Sequence, residues 1–315
     1  MSTAQTKPVV LVTAADLAPQ ALALLDDFEI VFAGRQPTED EIVALCETHK
    51  PAAIIVRYGK VNARIMDAAV GLQVISKHGS GIDVIDQEAA AQRGIAVRAA
   101  VGANAAAVAE HAWAQILACA KAVPSLDQRM RAGHWDKSTH KSVELDGRTL
   151  GLIGLGAIGK RVAAIGLAFG MRVLAYDPFA KSAPDEVTLV DLDTLYASSD
   201  VISLHCPLTD SNRRMVNRAA FARFKRRAIL VNTARGGLID EAALIDALAD
   251  GTLRCAALDS FDVEPMIVPH PFRDIANLIL SPHIGGVSDA AYVNMGTRAA
   301  SNVIAVLDAR AQATH

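Results

Sequence analysis

Residues 149–177, "TLGLIGLGAIGKRVAAIGLAFGMRVLAYD", constrain the fold more than any other stretch of the chain. An apolar run leads into Gly154-x-Gly156-x-x-Gly159, a segment with helical spacing follows, and a second apolar run ends on an acid, Asp177. Glycine at the first position permits a tight turn, at the second a close approach of backbone to a ligand, and at the third close packing of helix on strand. The stretch therefore predicts a strand–turn–helix–strand unit whose helix N-terminus, Ala157 and Ile158 included, faces the pyrophosphate of a dinucleotide. Asp177 at the end of the second strand suits ribose hydroxyls and repels a 2′-phosphate, so the expected cofactor is NAD rather than NADP.

The same alternation runs through the rest of the chain. Apolar strand runs at 9–13, 52–56, 72–76, 95–99, 149–154, 172–177, 200–205, 228–233, 255–260 and 277–281 are separated by segments with helix spacing, such as "EDEIVALCETH" and "DEAALIDALADG". Such a pattern predicts an α/β fold with parallel sheets covered by helices. It resets at an Ala-rich helix from Ala103 to Val123, which a polar stretch at 131–148 follows. Two Rossmann-like or flavodoxin-like lobes are expected, with residues 103–286 (the NAD-binding lobe) inserted into a substrate lobe made of 1–102 and 287–315. "SPHIGGVS", 281–288, would then lie on a crossing between lobes, where clefts form.

Composition narrows the function classes. The 315 residues are 51% hydrophobic and 21% charged, enough for a large buried core. A net charge of -3 and 4% aromatics provide neither a basic field nor a stacking platform for nucleic acid. No uncharged apolar run approaches the roughly 18 residues of a membrane span, and the start lacks a signal-like apolar core, so a cytoplasmic protein is expected. Cys46, Cys119, Cys206 and Cys255 are widely spaced and without any C-x-x-C, which predicts incidental thiols rather than a metal site or a disulfide framework.

Three polar residues sit at predicted strand ends in the second lobe: Arg235 in "VNTARGGLIDE", Glu264 in "DSFDVEP" and His283 in "SPHIGG". Ligands of open α/β sheets bind outside those carboxyl ends. Hydride transfer at C2 of a 2-hydroxy acid needs a base for the hydroxyl proton and a fixed cation for the carboxylate. Histidine has a suitable pKa, and arginine supplies a permanently charged fork. A carboxylate on the far ring nitrogen would orient the imidazole.

In this order, the fingerprint, "NTARGGLIDE", "DVEP" and "SPHIGG" resemble the D-2-hydroxyacid dehydrogenase family over nearly the whole chain. The resemblance implies Arg235, Glu264 and His283 as the catalytic set. It places Gly154, Gly156, Ala157, Ile158, Gly159, Asp177, His205, Cys206, Pro207, Thr233, Ala234, Asp259, Gly285 and Gly286 around the cofactor, Asp259 near the carboxamide. It also implies a homodimer or homotetramer and no metal. The segment "KHGSGID" matches the family's substrate loop, where backbone N–H groups of Ser80 and Gly81 would bind the substrate carboxylate and Gly79 belongs to the same substrate site. Arg57 and Lys77, each following a strand, would hold a distal phosphate, and on this point the chain is most similar to the catalytic core of the family's phosphoglycerate-oxidising branch.

His78, Val84 and Tyr58 depart from the family pattern and would reshape the pocket. The chain ends soon after the closing helix, so feedback through a C-terminal regulatory domain is not expected. Two other readings stand beside this one. The first is a reductase of hydroxypyruvate, glyoxylate or another 2-oxo acid. The second is an NAD-sensing binding protein like the corepressors that share this fold.

Overall fold

Strand order decides where a parallel sheet can hold a ligand, and the two sheets of this chain each reverse their order once. The structure is a computed structural model that describes residues 7–267 and 269–313. The chain divides into two units: one holds the described residues up to Asn104 and from Val287 onward, the other is Ala105–Gly286.

The first unit runs β1 (Val9–Val12), α1 (Pro19–Leu24), β2 (Glu29–Phe32), α2 (Glu39–His49), β3 (Ala53–Val56), α3 (Ala63–Ala68), β4 (Val74–Lys77), α4 (Gln87–Gln92) and β5 (Ala96–Ala99). The strands lie in the order β2-β1-β3-β4-β5, all parallel. Every residue of β3 is buried, as a parallel strand with both faces covered requires. A capping box starts α2: Thr38 Oγ1 accepts from the Glu41 N–H, and the Glu41 carboxylate accepts from the Thr38 N–H. Such a cap contributes about 1 kcal/mol. Thr13 ties the carboxyl ends of β1 and β3 at the order reversal, accepting from the Arg57 N–H at 3.0 Å and donating to the Tyr58 carbonyl at 2.7 Å.

The second unit runs α5 (Ala105–Lys121), α6 (Val123–Arg131), β6 (Thr149–Ile153), α7 (Ala157–Ala168), β7 (Arg172–Tyr176), β8 (Val187–Leu189), α8 (Leu192–Ser198), β9 (Val201–Leu204), α9 (Arg218–Phe221), β10 (Ala228–Asn232), α10 (Glu241–Ala249), β11 (Leu253–Leu258) and β12 (Leu278–Leu280). Its parallel sheet has the order β12-β11-β10-β9-β6-β7-β8 and reverses between β6 and β9, the arrangement of a dinucleotide-binding sheet. One buried cluster covers each face, Leu230 and Leu258 belonging to one and Val231 and Ala257 to the other. The final helix, α11 (Asp289–Ala313), belongs to the first unit, where Ala299, Ala300 and Val303 pack with Val10, Val12 and Ala21.

Two strands were absent from the sequence reading, β2 and β8. Both are edge strands: β2 buries none of its residues and β8 only Val187, so neither has the burial on both faces that marks the inner strands. Among the described residues no helix is long and apolar enough to cross a membrane.

Candidate active site

The glycine turn after β6 has the geometry its sequence demands. Gly154 has φ +100°, and a Cβ there would lie 2.7 Å from the carbonyl carbon of His205. A Cβ at Gly159 would fall 2.2 Å from the Gly154 carbonyl oxygen, whereas one at Gly156 would meet nothing within 4 Å. The middle glycine thus leaves open space, and it is the N-cap of α7 with no side chain capping the first turn. Uncapped N–H groups at a helix start, beside backbone without a side chain, form an anion cradle. Asp177 closes this turn: its Oδ2 accepts from the Leu155 N–H at 2.8 Å and its Oδ1 from the Phe179 N–H at 2.9 Å. Each oxygen keeps a further lone pair for a ribose hydroxyl.

Across the order reversal, the His205 ring meets Ser203 Oγ through Nε2 at 2.9 Å, while its buried Nδ1 has no partner among the described residues. Burial pushes the His205 imidazole down to about 4, so it is neutral. Thr233 Oγ1, after β10, is likewise buried without a partner among the described residues. Neighbouring Ala234 is buried, Cys206 is half-buried with its thiol pushed up to about 11 by burial, and Pro207 is exposed. Unpaired buried polar atoms next to an open anion cradle fit a dinucleotide whose own groups complete the hydrogen bonding.

The carboxyl ends of β10, β11 and β12 bring the polar trio together. His283 Nδ1 lies 2.7 Å from Glu264 Oε2, and Glu264 Oε1 accepts from the Phe261 N–H at 2.9 Å. The His283 pKa is raised, chiefly by the hydrogen bond to Glu264, against burial and the Arg235 charge. Burial works to raise the Glu264 carboxyl, but the His283 and Phe261 hydrogen bonds with the His283 and Arg235 charges hold it below the usual range. Arg235 is anchored by Asn232 Nδ2 donating to its carbonyl at 2.9 Å, and its Nη1 donates to the Ala234 carbonyl at 2.7 Å.

His283 itself has φ +55°, left-handed backbone that a non-glycine residue adopts at a cost on the order of 1 kcal/mol. Asp259, 1% exposed, enforces it. Its Oδ1 accepts from Ser281 Oγ at 2.6 Å and from the Ile284 N–H at 2.9 Å, and its Oδ2 accepts from the Gly285 N–H at 2.7 Å. Gly285 has no room for a side chain, since a Cβ would lie 2.9 Å from Asp259 Oδ2; Gly286 follows, half-buried. Ser281 receives a further bond from Gln115 Nε2 at 2.9 Å and meets His111 Nε2 at 3.0 Å. Ser281, His111 and Gln115 were not singled out in the sequence. The available signal was "HAWAQ", which puts two polar residues one turn apart on the buried face of α5.

In the first unit, Arg57 and Lys77 stand at the ends of adjacent strands. Arg57 pairs with Asp16 and lies over the rings of Tyr292 and Tyr58, 4.8 and 5.2 Å from their centroids. Lys77 Nζ donates to the Arg57 carbonyl at 3.0 Å. Tyr292 donates to Asp16 Oδ1 at 2.7 Å, so Asp16 and Tyr292 join a cluster that the sequence reading had limited to cations. In the loop after β4, Gly79 has φ +147°, Ser80 Oγ donates to Asn104 Oδ1 at 3.1 Å, and Gly81 is half-buried. Val84 packs beside the core, Tyr58 is exposed, and His78 is buried.

Residues 113–285 match the family model described as the D-isomer specific 2-hydroxyacid dehydrogenase, NAD binding domain. The chain is 42% identical over 262 residues to a D-3-phosphoglycerate dehydrogenase of Archaeoglobus fulgidus, covering 82% of this chain and 50% of that protein. It is 44% identical over 239 residues to a hydroxypyruvate reductase of Thermotoga maritima, covering 75% and 78%. The chain thus spans about half the length of the phosphoglycerate dehydrogenase relatives it matches. Among solved structures, the TT0316 protein of Thermus thermophilus superposes with a TM-score of 0.88 at 36% identity, covering 96% of this chain and 97% of that one.

Proposed function

Because this chain belongs to the D-isomer specific 2-hydroxyacid dehydrogenase family, we propose that it interconverts a small 2-hydroxy acid and its 2-oxo acid by reversible hydride transfer with NAD. The observation that carries this reading is the 2.7 Å His283–Glu264 contact under the influence of the Arg235 charge.

Bound NAD supplies the hydride acceptor. Ala157 and Ile158 at the start of α7 hold its pyrophosphate, Asp177 its ribose, and Thr233 and His205 offer the polar atoms left unsatisfied. Cys206, Pro207, Ala234, Gly285 and Gly286 line the same site in this reading. In oxidation, His283 takes the proton of the C2 hydroxyl at Nε2 while Glu264 stabilises the imidazolium through Nδ1. In reduction the imidazolium returns that proton, and the raised His283 pKa favours that charged form. Arg235 clamps the substrate carboxylate, with N–H groups of Gly79, Ser80 and Gly81 as the second set of donors. Asp259 sets the loop, its two oxygens holding Ser281, Ile284 and Gly285.

Arg57 and Lys77 are assigned to a distal phosphate, for which the substrate must replace Asp16 as the partner of Arg57. The Asp16–Arg57 pair also favours a second reading, reduction of an unphosphorylated 2-oxo acid such as hydroxypyruvate or glyoxylate. Comparing kcat/KM for 3-phosphoglycerate, glycerate, hydroxypyruvate and glyoxylate, in wild type and Arg57→Ala, separates the two. Phosphoglycerate turnover unchanged in Arg57→Ala ends the phosphate assignment. NAD binding without turnover of any of these acids moves the protein to the corepressor-like class. A homodimer or homotetramer in the cytoplasm completes the reading, with sedimentation velocity testing the assembly.

A further inference from the structure

Two thiols that lie 136 residues apart meet in the second unit: the Sγ atoms of Cys119 on α5 and Cys255 on β11 are 2.9 Å apart. They border a cavity of about 380 Å³ whose lining includes Ser125, Gln128, Arg227 and Arg254. We propose that this pair is a reversible two-electron oxidation site, in which a hydroperoxide entering the cavity converts the dithiol into a disulfide that pins α5 to β11.

Bonding needs the sulfurs to approach from 2.9 Å to about 2.05 Å. Cys255 is the attacking sulfur. Its pKa is lowered by the hydrogen bond with Cys119 and, more weakly, by the Arg254 charge, against burial, while that of Cys119 is raised. The Cys255 thiolate forms a bond to one peroxide oxygen, the O–O bond breaks, and hydroxide leaves, giving a sulfenic acid. Cys119 then attacks that sulfur, the S–O bond breaks, and its proton departs with the oxygen as water. The hydroperoxide is reduced and the thiol pair oxidised, with no further reactant. Cys46 contrasts with this pair: it is fully buried and its thiol is pushed up to about 11.

The location gives the cross-link a reach. Cys119 follows His111 and Gln115 at successive turns of one face of α5, and those two residues buttress Ser281 in the His283 turn. Cys255 precedes Asp259 on the segment that holds the same turn. Oxidation is therefore expected to lower kcat severalfold, reversibly. This consequence rests on the proposed reaction; the cross-link does not.

The test treats the whole protein with hydrogen peroxide, alkylates remaining thiols under denaturation, and maps peptides without reduction. The expected result is a Cys119–Cys255 linked peptide, erased by dithiothreitol, with Cys46 alkylated. Cys255→Ser abolishes the link, and Cys119→Ser accumulates a dimedone-reactive sulfenic acid at Cys255. Recovery of both thiols alkylated in wild type, or a link made instead to Cys206, overturns the site. A complete link with unchanged kcat overturns the coupling to catalysis. A complete link in a protein without dehydrogenase activity leaves the oxidation site standing and removes the proposed reaction.

Discussion

Two loops of this molecule carry a similar string of residues and end with opposite chemistry. Ser76-Lys77-His78-Gly79 runs out of the end of β4, and Ser281-Pro282-His283-Ile284-Gly285 follows β12, each at the carboxyl end of a parallel strand. His78 is 6% exposed, lies 5.8 Å from the Tyr292 ring centroid, and has no partner for Nε2 among the described residues. Burial and the neighbouring Arg57 and Lys77 charges push it down to about 4. His283 keeps 44% of its side chain exposed and bonds a carboxylate, and its pKa rises. Strand-end position alone therefore does not make an acid/base; an exposed ring with a carboxylate behind it does.

The sharpest way to break the comparison is to delete the reactive ring. His283→Ala is expected to lower kcat by about 10³-fold or more while NAD binding persists, because general acid–base catalysis contributes roughly 10²–10⁴-fold. Steady-state turnover and fluorescence titration with NADH check both halves. Retained kcat would return His283 to the same class as His78.

Arg235→Lys comes next. Lysine keeps the charge but loses the fork, so kcat/KM for the acid is expected to fall about 10²-fold, with most of the loss in substrate binding. Activity within a small factor of wild type would mean that the guanidinium does not clamp the carboxylate.

Glu264→Gln sharpens the contrast by making His283 more like His78. Glu264 is the main cause of the raised His283 pKa, so its removal lowers that pKa. Reduction needs the imidazolium and is lost as pH rises through the His283 pKa, so that limb of the profile moves to lower pH. Oxidation needs neutral imidazole and is lost as pH falls through the same value, so its limb moves the same way. At neutral pH the variant should reduce 2-oxo acids on the order of 10-fold more slowly. Stability carries the same sign: the share from His283 is fully present below its unfolded pKa and lost as pH rises through the folded one. The share from Glu264 is present above its unfolded pKa and lost as pH falls through the folded one. Profiles in both directions with no shift would detach Glu264 from the proton transfer.

What could be read from the sequence divides along the same line. Gly154, Gly156 and Gly159 were legible because each answers a local demand of backbone or packing, and the inner strands because burial on both faces writes them as apolar runs. The trio of Arg235, Glu264 and His283 was legible from strand-end placement and the needs of hydride transfer, with family resemblance supporting it, since no local pattern brings residues 235, 264 and 283 together. Ser281, His111 and Gln115 escaped because their contacts join segments far apart in sequence: Ser281 and His111 meet Asp259, and Gln115 meets Ser281. The Cys119–Cys255 contact escaped for the same reason.

The smallest effect on turnover is expected from His78→Gln, and it tests the other half of the comparison. A buried neutral ring takes no part in proton transfer, so kcat should stay near wild type and its pH profile should not move. Stability should move. The folded pKa of His78 is about 4 against an ordinary 6.5, so the unfolded chain binds more protons between those values. Folding is therefore unpenalised above pH 6.5 and penalised progressively as pH falls through the window, the full penalty being reached below about 4. At pH 5 the penalty is on the order of 2 kcal/mol, and glutamine removes it. His205, also held down to about 4, keeps its own share, so the variant should retain part of the acid sensitivity. Urea unfolding at pH 7.5 and 5 measures the difference. An identical loss of stability in variant and wild type would mean that His78 can become charged in place, and the two loops would then differ only in their carboxylate.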